Sequence, residues 1–181
     1  MRKITIYTDG ASSPQKSKAA GWGFAIQLPD NKYVVHAGYL EPPSTNNIGE
    51  SLAIIHAIEL MRDQRVCLEI VSDSEYALSM ITSRAKWEAQ GLPPKNNQLI
   101  LRMWKAIDEF QGILSQRWQR GHSGCVGNEV ADFASVCGKQ NDEKFFGYKS
   151  VELKYGCVLS NRVFHTTPEL FVEYCNLKRK R

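Results

Sequence analysis

Ile4-Thr5-Ile6-Tyr7-Thr8-Asp9-Gly10 is a β-branched and aromatic run that ends in a carboxylate and a glycine. Such a composition favours a strand. Alternation along it puts Ile4, Ile6 and Thr8 on one face and Thr5, Tyr7 and Asp9 on the other. An acid therefore sits where a half-buried strand would normally hold an apolar group. It needs a partner there, and a metal ion is one candidate.

Outward from this strand the pattern stays extended. After the polar turn of residues 11–18, Ala20-Gly21-Trp22-Gly23-Phe24-Ala25-Ile26-Gln27 reads as a second strand. Pro29-Asp30-Asn31 supplies a turn, and Tyr33-Val34-Val35-His36-Ala37-Gly38-Tyr39-Leu40 gives a third, so the opening is an antiparallel meander. Pro42-Pro43-Ser44-Thr45-Asn46-Asn47 ends it and offers several caps for a helix over 48–62. Helical spacing puts Glu50 beside Ala53, Ile54, Ala57 and Met61, whereas His56, Glu59 and Asp63 mark the wet stripe. Glu50 is thus a second inward acid.

Residues 66–72 read as a buried strand ending at Asp73, with a helix starting at Ser74. The C-terminal end of a strand is the usual place for a site in an α/β sheet. Residues 84–95 read as an irregular, mildly basic connection, 97–109 as a helix and 113–118 as a fifth strand. A glycine-flanked loop around His122 follows, then a helix from Asn128 to about Lys139, with Asp132 in its first turns, where the helix dipole favours an anion. Beyond 140 the pattern weakens to a strand over 149–155 and a helix over 168–178 that Thr166 and Glu169 would cap.

Bulk properties exclude several classes. The chain has 181 residues, 43% hydrophobic and 23% charged, which suits one domain, or one domain with an appendage. No apolar run is long enough to span a bilayer and no charged-then-apolar leader opens the chain, so the expectation is a cytoplasmic protein without membrane contact, and a monomer is expected besides. The net charge is +4, and Lys178-Arg179-Lys180-Arg181 account for all of it. Binding to a polyanion must therefore come from local clustering or from this tail. Cys67, Cys125, Cys137, Cys157 and Cys175 are scattered without paired metal-ligand spacing and read as reduced thiols.

Four acids on separate elements stand out: Asp9, Glu50, Asp73 and Asp132. Their order resembles that of type 1 ribonucleases H, and so do the runs around them: Tyr7-Thr8-Asp9-Gly10, Thr45-Asn46-Asn47-Ile48-Gly49-Glu50, Ser72-Asp73-Ser74-Glu75-Tyr76, and Gly121-His122-Ser123-Gly124 with Gly127-Asn128-Glu129-Val130-Ala131-Asp132. The resemblance covers residues 1–140, leaving 141–181 as a C-terminal extension with a basic tail. It implies the ribonuclease H-like fold, an α/β architecture whose mixed five-stranded sheet is flanked by helices. It also implies hydrolysis of the RNA strand of RNA–DNA hybrids, giving 5′-phosphate and 3′-hydroxyl ends. In-line phosphodiester hydrolysis needs a more acidic water and a neutralised leaving oxygen, which two Mg²⁺ ions, or Mn²⁺, can provide. Hard carboxylate ligands suit Mg²⁺, whereas four crowded carboxylates without a cation repel one another.

By the same resemblance, Asp9, Glu50, Asp73 and Asp132 bind metal, with Asp9 bridging, and His122 acts in proton transfer or product release. Gly10, Asn46 and Glu75 would contact the RNA strand, whose 2′-hydroxyls distinguish it from DNA, with Thr45 toward a DNA-strand phosphate and Asn128 among the substrate contacts. Some positions depart from the family pattern. Residues 84–95 hold only Arg84, Lys86, Trp87 and Lys95 where many members have a run of lysines and tryptophans, and Glu75 stands where glutamine is common. Another ribonuclease H-like nuclease or strand transferase, or a silent hybrid-binding domain, are the alternatives; retention of all four acids argues against the last.

Overall fold

The structure, a computed structural model, describes residues 1–13, 19–29 and 33–140, together with the backbone of 163–166. Strands β1 (Lys3–Ser12), β2 (Ala20–Gln27) and β3 (Tyr33–Leu40) form the antiparallel meander. After α1 (Asn46–Leu60), β4 (Cys67–Ser72) returns parallel to β1. Helices α2 (Glu75–Thr82), α3 (Arg84–Gln90) and α4 (Asn97–Glu109) lead to β5 (Ile113–Trp118), which lies parallel to β4, and α5 (Val126–Gln140) follows. These five strands form the mixed sheet expected, in the order β3-β2-β1-β4-β5. A sixth, β6 (Val163–Thr166), adds antiparallel to β3 and gives β5-β4-β1-β2-β3-β6. The strand expected over 149–155 and the helix expected over 168–178 lie outside the described residues.

The connection expected to be irregular over 84–95 is corrected: its first half is the helix α3. None of the seven residues of α3 is buried, so it lacks the apolar stripe that marks a helix in sequence. Trp87 packs half-buried against the core. The charge of the segment is also largely spent internally. Arg84 donates from Nε to Glu88 at 2.9 Å and from both terminal nitrogens to Asp108 at 2.5 and 3.1 Å, with its guanidinium 5.2 Å over the Trp104 ring. Lys86 and Lys95 are left as its exposed cations.

Two apolar layers enclose the sheet. Ile6, Phe24, Leu68 and Ile70 face α1, α2 and α4, where Ile54, Ile55, Ile58, Met80 and Met103 complete the larger core. Tyr7, Ala25, Val35 and Val71 pack with Val130, Ala131 and Ala134 of α5. The alternation along β1 thus feeds one core with Ile6 and the other with Tyr7. Helix α5 lies directly on the backbone of β2: a Cβ at Gly23 would come within 2.6 Å of the Ala134 carbonyl carbon, and one at Gly21 within 2.7 Å of Lys139 Cα. A second close approach joins the other layer, where a Cβ on Gly10 would stand 2.8 Å from Gly49 and from the Glu50 side chain. These contacts seat α1, which carries Glu50, against the strand that carries Asp9, and α5, which carries Asp132, against its neighbour β2.

Candidate metal centre

Asp9 lies near the end of β1, only 8% exposed, and its Oδ1 accepts from the Gly10 N–H at 2.7 Å. Glu50 reaches it from the first turns of α1, a helix capped by Thr45, whose Oγ1 accepts from the Ile48 N–H at 3.3 Å. Asp73 follows β4 directly. Carboxylate oxygens of Asp9, Glu50 and Asp73 all lie within 4.8 Å of one another. The second grouping of this kind among the described residues is His122, Glu129 and Asp132, on the neighbouring loop and α5.

The electrostatics couple the two groupings. Burial holds the Asp9 carboxyl well above the usual carboxylate range, and the charges of Asp73 and Asp132 push it further, against the Gly10 N–H. Glu50 is raised by burial and by Asp73, with hydrogen bonds from Ser74 and Asn46 opposing. Asp73 is raised first by burial and also by Asp132; its own backbone N–H and nearby His122 pull it back. Asp73 Oδ1 is buried without a hydrogen-bond partner. A buried carboxylate oxygen left over, among acids that disfavour one another's charge, is what a hard divalent cation would satisfy. The donor set therefore fits the metal that the sequence implies.

The other expected residues fall as follows. Asn46 donates from Nδ2 to Glu50 Oε1 at 2.6 Å, so it orients the acid as well as standing beside it. Gly10 lies under Glu50, and Thr45 and Glu75 are exposed at the helix starts. Asn128, expected among the substrate contacts, is only 3% exposed in α5, and its Oδ1 has no partner. His122 is 79% exposed at φ 50°, with Nδ1 3.8 Å from Glu129 Oε1. The loop before it must pass tightly, because a Cβ at Gly121 would run into Asp73 Oδ2.

Sequence reasoning read Ser74 only as a helix start, yet it does two things at once. Its Oγ accepts from the Ala77 N–H at 3.1 Å, capping α2, and donates to Glu50 Oε2. The signal was its place between Asp73 and an apolar helical run. Ser74→Ala is expected to lower stability by about 1 kcal/mol through the lost cap. It should also cost activity several-fold because Glu50 loses a donor. A thermal melt and kcat/KM measure the two effects separately, and unchanged values of both would refute the double role.

The ribonuclease H family model matches residues 1–140. A ribonuclease HI from Caulobacter vibrioides is 36% identical over 140 residues, covering 72% of this chain and 88% of that protein. A ribonuclease H from Herminiimonas arsenicoxydans is 37% identical over 142 residues, 73% of this chain and 91% of that one. Among solved structures, LC9-RNase H1, a type 1 RNase H with the type 2 active-site motif, superposes with a TM-score of 0.63 at 17% identity over 84% of each chain. The N-terminal RNase H domain of a Mycobacterium tuberculosis protein, fused to maltose binding protein, gives 0.61 at 18% identity over 78% of this chain and 96% of that one. These two likenesses bear on the fold, whereas the family match and the sequence identities reach further: the chain belongs to the ribonuclease H family.

Proposed function

We propose that residues 1–140 form a metal-dependent endoribonuclease domain in which Asp9, Glu50, Asp73 and Asp132 hold two divalent cations against the RNA strand of an RNA–DNA hybrid. The chain is a ribonuclease H-type hydrolase of the RNA strand. The observation that carries the site assignment is the convergence of Asp9, Glu50 and Asp73 to within 4.8 Å, with Asp73 Oδ1 buried and unpartnered. When bound, the cations supply a more acidic attacking water and neutralise the leaving oxygen. Mg²⁺ is the reading for their identity, with Mn²⁺ able to substitute.

The chain's own residues do the rest. Asn46 and Ser74 hold the Glu50 carboxylate from two sides. His122, exposed and facing Glu129, can take or give a proton at a product oxygen. Gly10, Thr45, Asn46 and Glu75 surround the acids and are read as the contacts to the hybrid, Asn128 supporting them from within α5. Residues 141–181 are read as an extension that contributes β6 to the sheet and a basic tail that adds salt-sensitive attraction to phosphate. The reading includes a monomer in the cytoplasm; no helix among the described residues is long and apolar enough to cross a membrane.

The test is cleavage of a labelled RNA–DNA hybrid in Mg²⁺, in Mn²⁺ and in EDTA. Metal-dependent cuts in the RNA strand, leaving 5′-phosphates, are expected, with single-stranded RNA and duplex DNA left intact. Binding of the hybrid without cleavage in either metal would make the domain a silent binder, and cleavage of DNA would place it with the strand transferases and exonucleases.

A further inference from the structure

Beside the acids, a groove of about 390 Å³ runs between α2 and β5, lined by Glu75, Leu78, Ser79, Thr82, Gln116 and Trp118. It adjoins the catalytic end of the sheet: Trp118 Nε1 donates to the Asp73 carbonyl oxygen at 3.0 Å, and Glu75 stands two residues past Asp73. This bond fixes the indole in place while leaving Trp118 50% exposed. None of the six lining residues is cationic, and Glu75 brings a carboxylate, so the groove repels a phosphate. What it offers is an aromatic face, an aliphatic wall from Leu78, two hydroxyls and an amide. The Gln116 Oε1 is buried without a hydrogen-bond partner, which leaves the amide to turn toward a donor brought into the groove.

We propose that this groove takes a single unpaired nucleobase of the nucleic acid at the active site, its ring against Trp118 and its exocyclic amino group toward Gln116 and Glu75. The inference rests on the ribonuclease H reading above. Within a duplex both faces of a base are covered by its neighbours, so only an unpaired base has a face to give. Base-on-aromatic stacking tolerates every base, and the selection here comes from the acceptors. Cytosine, adenine and guanine carry an amino group, whereas uracil and thymine do not. The groove therefore serves a hybrid that ends in, or is interrupted by, an unpaired amino-bearing nucleotide.

The test is a titration of the ¹⁵N-labelled protein with cytidine, with uridine and with ribose 5-phosphate, following the indole N–H signal of Trp118, assigned by its loss in Trp118→Phe. Cytidine in the millimolar range is expected to shift that signal at about a tenth of the uridine concentration, and ribose 5-phosphate to leave it in place. Ser79→Phe, which fills the groove and keeps the indole, should abolish the cytidine shift. Absence of a cytidine shift in the wild type, or an equal shift with ribose 5-phosphate, overturns the proposal. The nucleoside titration needs no cleavage, so a protein that cuts hybrid but ignores cytidine refutes the groove alone. One that binds cytidine but cuts nothing refutes the nuclease reading instead.

Discussion

Replacing Asp9 with asparagine is expected to abolish RNA-strand cleavage while making the metal-free protein more stable. The loss follows from its place between the two acidic groupings: Asp9 lies with Glu50 and Asp73 and is raised electrostatically by Asp132. Cation stabilisation of the transition state is worth several kcal/mol, and each 1.36 kcal/mol is tenfold, so the rate should fall about a thousandfold or more. The gain has the same origin with opposite sign. Because Asp9 is raised when folded, the folded state binds its proton more tightly than the unfolded state does. Without metal, the Asp9 contribution to stability is then greatest below about pH 4 and is lost as pH rises from the unfolded carboxylate value toward the folded one. Asp9→Asn removes that decline and should raise the Tm of the metal-free protein at neutral pH. Mg²⁺ should raise the Tm of the wild type and leave the variant nearly unmoved. Cleavage by the variant within tenfold of wild type, or an unchanged melt in EDTA, would remove Asp9 from the centre of the site.

The second large effect concerns stability and reaches the site through α5. Gly23→Ala should destabilise the fold by about 3 kcal/mol, lowering Tm by roughly 6–12 °C. The added methyl would meet the Ser135 N–H, the Ala134 carbonyl carbon at 2.6 Å and the Ala134 Cβ at 2.7 Å. Two of these atoms are backbone, so the helix itself must lift. Since α5 also carries Asp132, activity should fall even at temperatures where the variant stays folded, as Asp132 moves away from Asp9. Ala134→Gly in the same chain relieves only the side-chain part and should restore a minor share. A Tm within 2 °C of wild type would mean that α5 does not rest on the β2 backbone as closely as described. A folded variant with full activity would mean that the seating of α5 is not what positions Asp132.

The acids were legible because their placement depends on local periodicity. Asp9 shows itself by alternation in β1, Glu50 by helical spacing in α1, and Asp73 by its position after an apolar run. The family resemblance then tied these to Asp132. What stayed hidden depends on partners distant in sequence. Helix α3 has no fully buried residue, so it carries no periodic signal, and the apparent basicity of Arg84 disappears only when Asp108 is brought next to it. The glycines at 21 and 23 read as ordinary strand residues until α5 lies on them. Ser74 reads as a helix start, and its bond to Glu50, 24 positions away, is visible only in the fold. Strand β6 is likewise specified by a pairing between residues 33–36 and 163–166.

That last pairing has a bearing on how the protein is made. With β6 in place, Tyr33–His36 of β3 are paired on both sides; without it, they would present a row of unpaired backbone donors and acceptors. During synthesis all four acids and the first five strands leave the ribosome before residue 163 does. For that interval an otherwise complete nuclease domain carries a sticky border open to a neighbouring nascent chain. Once residue 163 has emerged, β6 pairs with Tyr33–His36, shortens that border and becomes the edge strand itself.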